Sequence, residues 1–405
     1  MRVLVVFILL LSTVAQAQID KSFYIIARNT GEQIMPNDDT IRVMGFTEEI
    51  TDNALFPGPT LIMNEGDSVE IELFNFSQGA PHTIHLHGLD VDQENDGVPA
   101  LSFEIPHLES GFYYFKAPHP GAYLYHCHVA SPIHVQGGMF GVILVRPADG
   151  SQTTWDGGYD YDVTTSLIMN EVDTVWHNDT IIKHDYDTSM TMNMIEIPKY
   201  EPQFFMVNGL SENQIADSNL MVSTSVGAVA YVQLLNIGNY ANRLVFPSEF
   251  GTQIISSDGR PFPSVEVSDT VWIYPGERYC VLGTMDDEGI EMIDIDYVNL
   301  NTGLIEDTQQ VPIVTEGFVG NDIQHPRRLA LWPNPAQDEV TVRFFGETFS
   351  GEMKVFNLQG KEVQFAKIID SKQLKLETNQ LESGAYIVVF KDNLGNAFEE
   401  KLIVE

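Results

Sequence analysis

The chain has 405 residues, 43% hydrophobic and 19% charged, a length that allows two to three domains and a composition that rules out disorder as its main state. Acidic residues outnumber basic ones 57 to 21, for a net charge of −36, so nucleic acid and anionic lipid surfaces would repel it. The two cysteines, Cys127 and Cys280, cannot make a disulfide framework, and packed cores must hold the fold.

Met1-Arg2, the apolar run Val3 to Leu11 and Ala15-Gln-Ala17 have the order of a secretory signal, which places a signal peptide at 1–17 and the mature start at Gln18. That run is too short to span a bilayer, and no later one approaches the ~20 apolar residues a transmembrane helix needs. An exported protein without a transmembrane segment is expected.

From there the chain reads as short strands. Val69-Glu-Ile-Glu-Leu-Phe, Gly141-Val-Ile-Leu-Val, Tyr231-Val-Gln-Leu-Leu and Tyr386-Ile-Val-Val-Phe are separated by Gly, Pro, Asn and Asp clusters, and long helical periodicity is absent. The expected class is all-β, in several antiparallel sandwiches. Val69 to Asn75 and Tyr231 to Asn236 look like one strand repeated, which makes the second domain a copy of the first. A gap-free alignment sets His82 against Arg243, His85 against Phe246 and His87 against Ser248, so the copy has lost the histidines. The stretch Pro147 to Gly158 suits a linker, giving domains at 18–148 and 149–320. After the polar stretch Gly320 to Arg328, a small third sandwich is expected over 331–405. Its net charge is −4, whereas residues 18–330 carry −33.

Chemistry concentrates in His82-Thr-Ile-His85-Leu-His87-Gly88, then Tyr125-His126-Cys127-His128, then His134-Val-Gln-Gly-Gly-Met139. Side chains alternate along a strand, so His85 and His87 share one face and His82 takes the other. The same parity separates His126 and His128 from Cys127. Pairing the strands therefore assembles two sites. His82, Cys127, His134 and Met139 make a blue-copper set, because thiolate, two imidazoles and a weak thioether suit copper in electron transfer, whereas structural zinc sites usually lack Met. The four imidazoles of His85, His87, His126 and His128 suit a copper that meets a small oxidant. Cys127 is bonded to His126 and His128, which gives an electron a route from thiolate through backbone to imidazole.

At these residues the chain resembles the multicopper oxidases. His-Leu-His-Gly, His-Cys-His, Asp96-Gly-Val-Pro99 and Gly121-Ala-Tyr-Leu-Tyr-His126 are similar to that family's first cupredoxin domain, over about residues 24–147. Val207-Asn-Gly, Asp258-Gly-Arg-Pro and Pro275-Gly-Glu-Arg-Tyr resemble its copper-free middle domain. The resemblance implies two cupredoxin-like Greek-key domains, copper as cofactor, dioxygen as acceptor and a small-molecule or metal-ion donor. Blue-copper ligands in the first domain are similar to two-domain oxidases and copper nitrite reductases; His85 stands where nitrite reductases carry Asp and so favours the oxidase. The family's trinuclear cluster uses eight histidines, and this domain supplies four. His107, His119, His177, His184 and His325 form no second pair, and Leu244 to Phe250 offers no histidine to a neighbouring subunit. A smaller cluster, ligands from a homotrimer partner, a nitrite-reductase-like enzyme and a non-catalytic electron carrier all remain open at this point.

Three weaker signals accompany the motifs. Met190, Met192 and Met194 have the spacing of a Cu(I) site but suit core packing better; Cys280 reads as a buried small hydrophobe; and the acidic run Asp90 to Asp96 reads as a solvated loop more than a cation site. Finally, Trp332-Pro-Asn-Pro335, Lys354-Val-Phe-Asn-Leu-Gln-Gly360-Lys, Leu381-Glu-Ser-Gly384-Ala-Tyr386 and Lys401-Leu-Ile-Val resemble the type IX secretion sorting domain, implying that machinery as a partner and a secreted or cell-surface destination.

Overall fold

The computed structural model describes residues 19–178, 181, 197–316, 329–332, 336–337, 339–344, 349–357, 361–371, 373–392 and 397–404. The signal-peptide stretch, the Met190 to Met194 run, His184, His325 and the stretch 320–328 lie outside them. The chain divides into two compact units, 1–318 and 319–405.

The first unit begins with β1 (Lys21–Ile34), β2 (Thr40–Thr47), β3 (Leu61–Asn64), β4 (Ser68–Asn75), β5 (His85–His87), β6 (Ser110–Lys116), β7 (Gly121–His126), the short helix α1 (Ser131–Gly137) and β8 (Phe140–Arg146). One sheet runs β2-β1-β4-β6 and the other β3-β8-β7-β5. The strict alternation of β4 buries Val69, Ile71 and Leu73 between the sheets with Ile25, Leu61, Tyr113 and Ile143, each aliphatic side chain stabilising the fold by about 2 kcal/mol.

The same plan recurs in β9 (Val163–Val172), β10 (Phe204–Val207), β11 (Val222–Ser225), β12 (Ala230–Asn236), β13 (Ala241–Val245), β14 (Gln253–Ser257), β15 (Arg260–Val267), β16 (Thr270–Ile273), β17 (Arg278–Gly283), β18 (Gly289–Val298) and β19 (Ile305–Glu316). Their sheets run β10-β9-β12-β17-β14-β15 and β11-β19-β18-β13-β16. Parallel pairs β1 with β4 and β3 with β8 are matched by β9 with β12 and β11 with β19, so the sandwiches are mixed where pure antiparallel pairing was expected. Asn75 and Asn236 close equivalent strands in the same way. Each donates its amide to two backbone carbonyls, Ala80 and Ile105 or Tyr240 and Ile273, and accepts from the N–H two residues on.

Sheet order places β13 where the first sandwich has β5. Phe246 and Ser248 fall beyond that strand, so the correspondence requires a gap: the connection after Asn236 is shorter than the one after Asn75. In β13, Arg243 pairs with Asp296 of β18 at 2.5 Å, an ion pair in place of the histidines.

The two sandwiches of this unit bury Leu124, Phe140 and Val142 of the first against Ile168, Tyr231, Leu235 and Cys280 of the second. Cys280 is 3% exposed and burial pushes its thiol up, as an inert small hydrophobe requires. The second unit contains β20 (Leu329–Trp332), β21 (Glu339–Phe344), β22 (Phe349–Asn357), β23 (Glu362–Ser371), β24 (Gln373–Glu377), β25 (Gly384–Asp392) and β26 (Ala397–Val404). They form sheets β20-β21-β24 and β23-β22-β25-β26 over a core that includes Val340, Val342, Met353, Val355, Val388 and Phe390.

Glu171, one of the buried charged residues of the second sandwich, accepts hydrogen bonds from the backbone N–H groups of Asn239 (2.8 Å) and Tyr240 (3.2 Å) and from the Tyr200 hydroxyl (3.1 Å). Burial outweighs these bonds and pushes its carboxyl up to about 7. A raised folded pKa stabilises the fold below the unfolded value and loses that stability as pH rises through about 7. Copper-free wild type is therefore expected to lose on the order of 2 kcal/mol relative to Glu171→Gln between pH 5 and 8. Denaturant titrations of both proteins check this, since the buried histidines are common to both; parallel pH curves would show that burial does not raise the Glu171 carboxyl.

Candidate metal centre

The first donor set is built on three segments, at His82, at Cys127 and from His134 to Met139. His82 is fully buried, fixed by reciprocal backbone hydrogen bonds with Ile105 at 3.1 and 3.0 Å. Two further bonds hold the next residues: the N–H of Ile84 donates to the Tyr113 hydroxyl, and the N–H of His128 donates to Thr83 Oγ1, both at 3.0 Å. Cys127 Sγ lies 3.6 Å from His82 Nδ1 and 3.2 Å from His134 Nδ1. His134 comes from the short helix α1.

Pro132 starts that helix and Gly138 ends it, at φ 115°, so the Met139 N–H turns back to the His134 carbonyl at 2.9 Å. A Cβ at Gly138 would come within 2.6 Å of the Met44 carbonyl and the Phe56 ring. Met139 is fully buried in the same core as Cys127, and its carbonyl accepts the Cys127 N–H at 3.0 Å. Burial pushes the Cys127 thiol up, yet the imidazoles of His134 and His82 together hold it well below the ordinary thiol range.

The second set lies across the strands. Register pairs His85 of β5 with His126 of β7, and the ring nitrogens of His85, His87 and His126 lie within 4.8 Å of one another. The His128 ring adjoins them, 5.3 Å from that of His85 and 6.0 Å from that of His126. His85 Nδ1 lies 2.8 Å from the Asp96 carbonyl, and His126 Nδ1 lies 3.0 Å from the Cys127 carbonyl. Carbonyl oxygens only accept, so both Nδ1 atoms carry the proton and both Nε2 lone pairs are turned to the cluster. Burial lowers His126 to about 3 and His87 to about 4, keeping both imidazoles neutral as metal ligation requires.

The structure thus brings His82, Cys127 and His134 together in one group and His85, His87 and His126 in another, with the His128 ring beside the second and Met139 in the core that holds Cys127. Among the described residues the remaining histidines lie elsewhere: His107 bonds the Ser77 carbonyl, His119 lies 3.8 Å from Glu65, and His177 bonds the Arg42 carbonyl. The acidic run forms a turn, in which Asp92 accepts from Asn95 and Asp90 pairs with Arg260. Sequence reasoning missed Thr83, Tyr113 and Gln136, whose amide donates to the Glu171 carbonyl at 3.0 Å. Only fold distance links these residues, so no local spacing signals them.

Both donor sets fit copper: thiolate with two imidazoles in one, neutral imidazoles in the other. Residues 37–150 match the family described as multicopper oxidase, and residues 330–405 match the secretion system C-terminal sorting domain. Residues 37–150 are thus similar to a multicopper oxidase domain. It is similar to Laccase 1 of Metarhizium acridum, 37% identical over 131 residues, covering 32% of this chain and 20% of that one. It is also 35% identical over 127 residues to the copper-containing nitrite reductase of Neisseria gonorrhoeae, covering 31% and 30%. The crystal structure of a blue copper oxidase from Nitrosomonas europaea superposes with a TM-score of 0.58 at 25% identity, covering 73% of this chain and 86% of that one. The chain spans less than half the length of the curated relatives it matches.

Two substitutions probe the first set. Cys127→Ser is expected to abolish the intense visible absorption of the copper-loaded protein, because only the thiolate supplies the charge transfer. Met139→Leu should raise the reduction potential measured by voltammetry, since losing an axial donor destabilises Cu(II) more than Cu(I). A lowered or unchanged potential would remove Met139 from the ligand set.

Proposed function

We propose that this protein is an exported copper-dependent oxidoreductase that takes electrons from a small-molecule or metal-ion donor at one copper site and reduces dioxygen at another. On this reading His82, Cys127, His134 and Met139 hold the first copper, and His85, His87, His126 and His128 hold the second. The observation that carries it is covalent: Cys127 stands in one donor set while His126, its bonded neighbour, stands in the other.

Copper supplies one-electron redox chemistry at both sites. The chain's own residues supply the rest. Full burial of His82, Cys127, His134 and Met139 excludes water and holds the donors in one geometry, so a change of charge there requires little rearrangement. The Asp96 and Cys127 carbonyls fix the tautomers of His85 and His126. Partial exposure of His85 and His87 leaves the second site open to a small acceptor. Four imidazoles leave room for further ligands, supplied by water or by a neighbouring copy in a homotrimer.

Residues 1–17 act in this reading as the signal peptide, 18–148 as the copper-binding domain, 149–320 as its copper-free partner, and 331–405 as the address read by the type IX machinery. The sorting domain indicates export to the outside or the cell surface. Among the described residues no helix is long and apolar enough to cross a membrane. Similarity to a nitrite reductase at 35% identity supports a second reading, in which nitrite is the acceptor.

His126→Ala is expected to leave the blue absorption largely intact while stopping turnover, because the two sets share no donor. Metal analysis together with oxygen-electrode and nitrite-consumption assays, using a reducing dye as donor, decides between the readings. Two or three coppers per chain with oxygen uptake is the expected result. One copper with no consumption of either acceptor would leave an electron carrier.

A further inference from the structure

Among its described residues the second sandwich offers no histidine to the cluster, yet its strand β17 reaches the cluster through Arg278. This side chain is only 5% exposed, and its guanidinium lies against Gly88, the residue after His87. Gly88 has φ 87°, and a Cβ there would collide with Nη2, so both conformation and space demand glycine at that position. Arg278 Nη1 donates to the Gly276 carbonyl and lies 3.0 Å from Asp258 Oδ1. A Cβ at Gly276 would stand 3.4 Å from His87 Nε2, so Gly276 packs against the imidazole on one side while its carbonyl holds Arg278.

Arg278 is costly where it is. Its Nε is buried without a hydrogen-bond partner, and its carboxylate partner Asp258 is itself 48% exposed. An apolar side chain of similar volume would fill the space without desolvating a charge or stranding a donor. Packing therefore does not account for the cation, whereas a ligand-binding cluster beside it does, because a fixed charge in a low-dielectric wall acts strongly on whatever charge binds next to it.

We propose that Arg278 is a positioning and specificity-determining residue of the His85, His87, His126 and His128 cluster, whose fixed positive charge raises the affinity of the open ligand position there for small monoanions while leaving that for neutral ligands such as dioxygen unchanged. The proposal rests on the reading that this cluster holds copper. It adds that the second sandwich, through Arg278, tunes how tightly anions bind at the first sandwich's site.

The test uses the copper-loaded full chain with azide as the monoanionic probe, followed through its charge-transfer absorption, and imidazole as the neutral one. Arg278→Met should weaken azide about tenfold, and Arg278→Lys should stay within about threefold of wild type, because the charge is kept but the fork is lost. Asp258→Asn should tighten azide, since it removes the counter-charge from Arg278. Imidazole affinity and the blue absorption should hold steady in all three. Azide affinities equal in wild type, Arg278→Met and Asp258→Asn, with copper content unchanged, overturn the proposal. If Arg278→Met does not fold, an Asp258→Asn protein that binds azide no more tightly than wild type overturns it alone. A wild type with copper only at the thiolate set overturns the function reading and this proposal with it; the copper count separates that failure from the other.

Discussion

Consecutive residues of an extended segment turn their side chains to opposite sides, and the two donor sets of this protein depend on that. His126 ends a strand, Cys127 follows it, and the two serve different donor sets because the backbone turns one side chain away from the other. The two sites are therefore held at the fixed separation of bonded neighbours. What the rest of the fold has to do is bring donors to each side.

It does so unequally. The thiolate set is closed: His82, Cys127, His134 and Met139 are fully buried, and Ile105, Tyr113, Thr83 and the turned end of α1 lock the segments that carry them. The histidine set is open, with His85 and His87 only partly covered. A closed site suits electron storage and an open one suits a ligand that comes and goes.

The second sandwich shows what duplication without metal leaves behind. Its closing Asn236 keeps the bonds that Asn75 makes, while the strand equivalent to β5 carries an Arg243 to Asp296 ion pair. It keeps a role in the first sandwich's chemistry through the surface it presents, with Gly276 against His87 and Arg278 over Gly88. Gln136, two residues after His134, ties α1 to the Glu171 carbonyl in that same second sandwich.

The amino-acid sequence by itself determined the class of fold, because strand alternation and turn residues are local properties, and it separated His85, His87, His126 and His128 from His82 and Cys127, because parity within His82 to His87 and His126 to His128 needs no knowledge of the partner strand. Other features were not legible there. A gap-free repeat alignment missed the shortened connection after Asn236, since only strand order shows that β13 replaces β5. The helix carrying His134 is seven residues long, too short for a periodic signal. Only the tertiary structure decided that His85 faces His126, that Thr83 and Tyr113 brace the ligand segment, and that Arg278 closes over a glycine 190 residues earlier in the chain. Those contacts join strands far apart in sequence, and pairing at that range is set by how whole sheets pack, which no local pattern encodes.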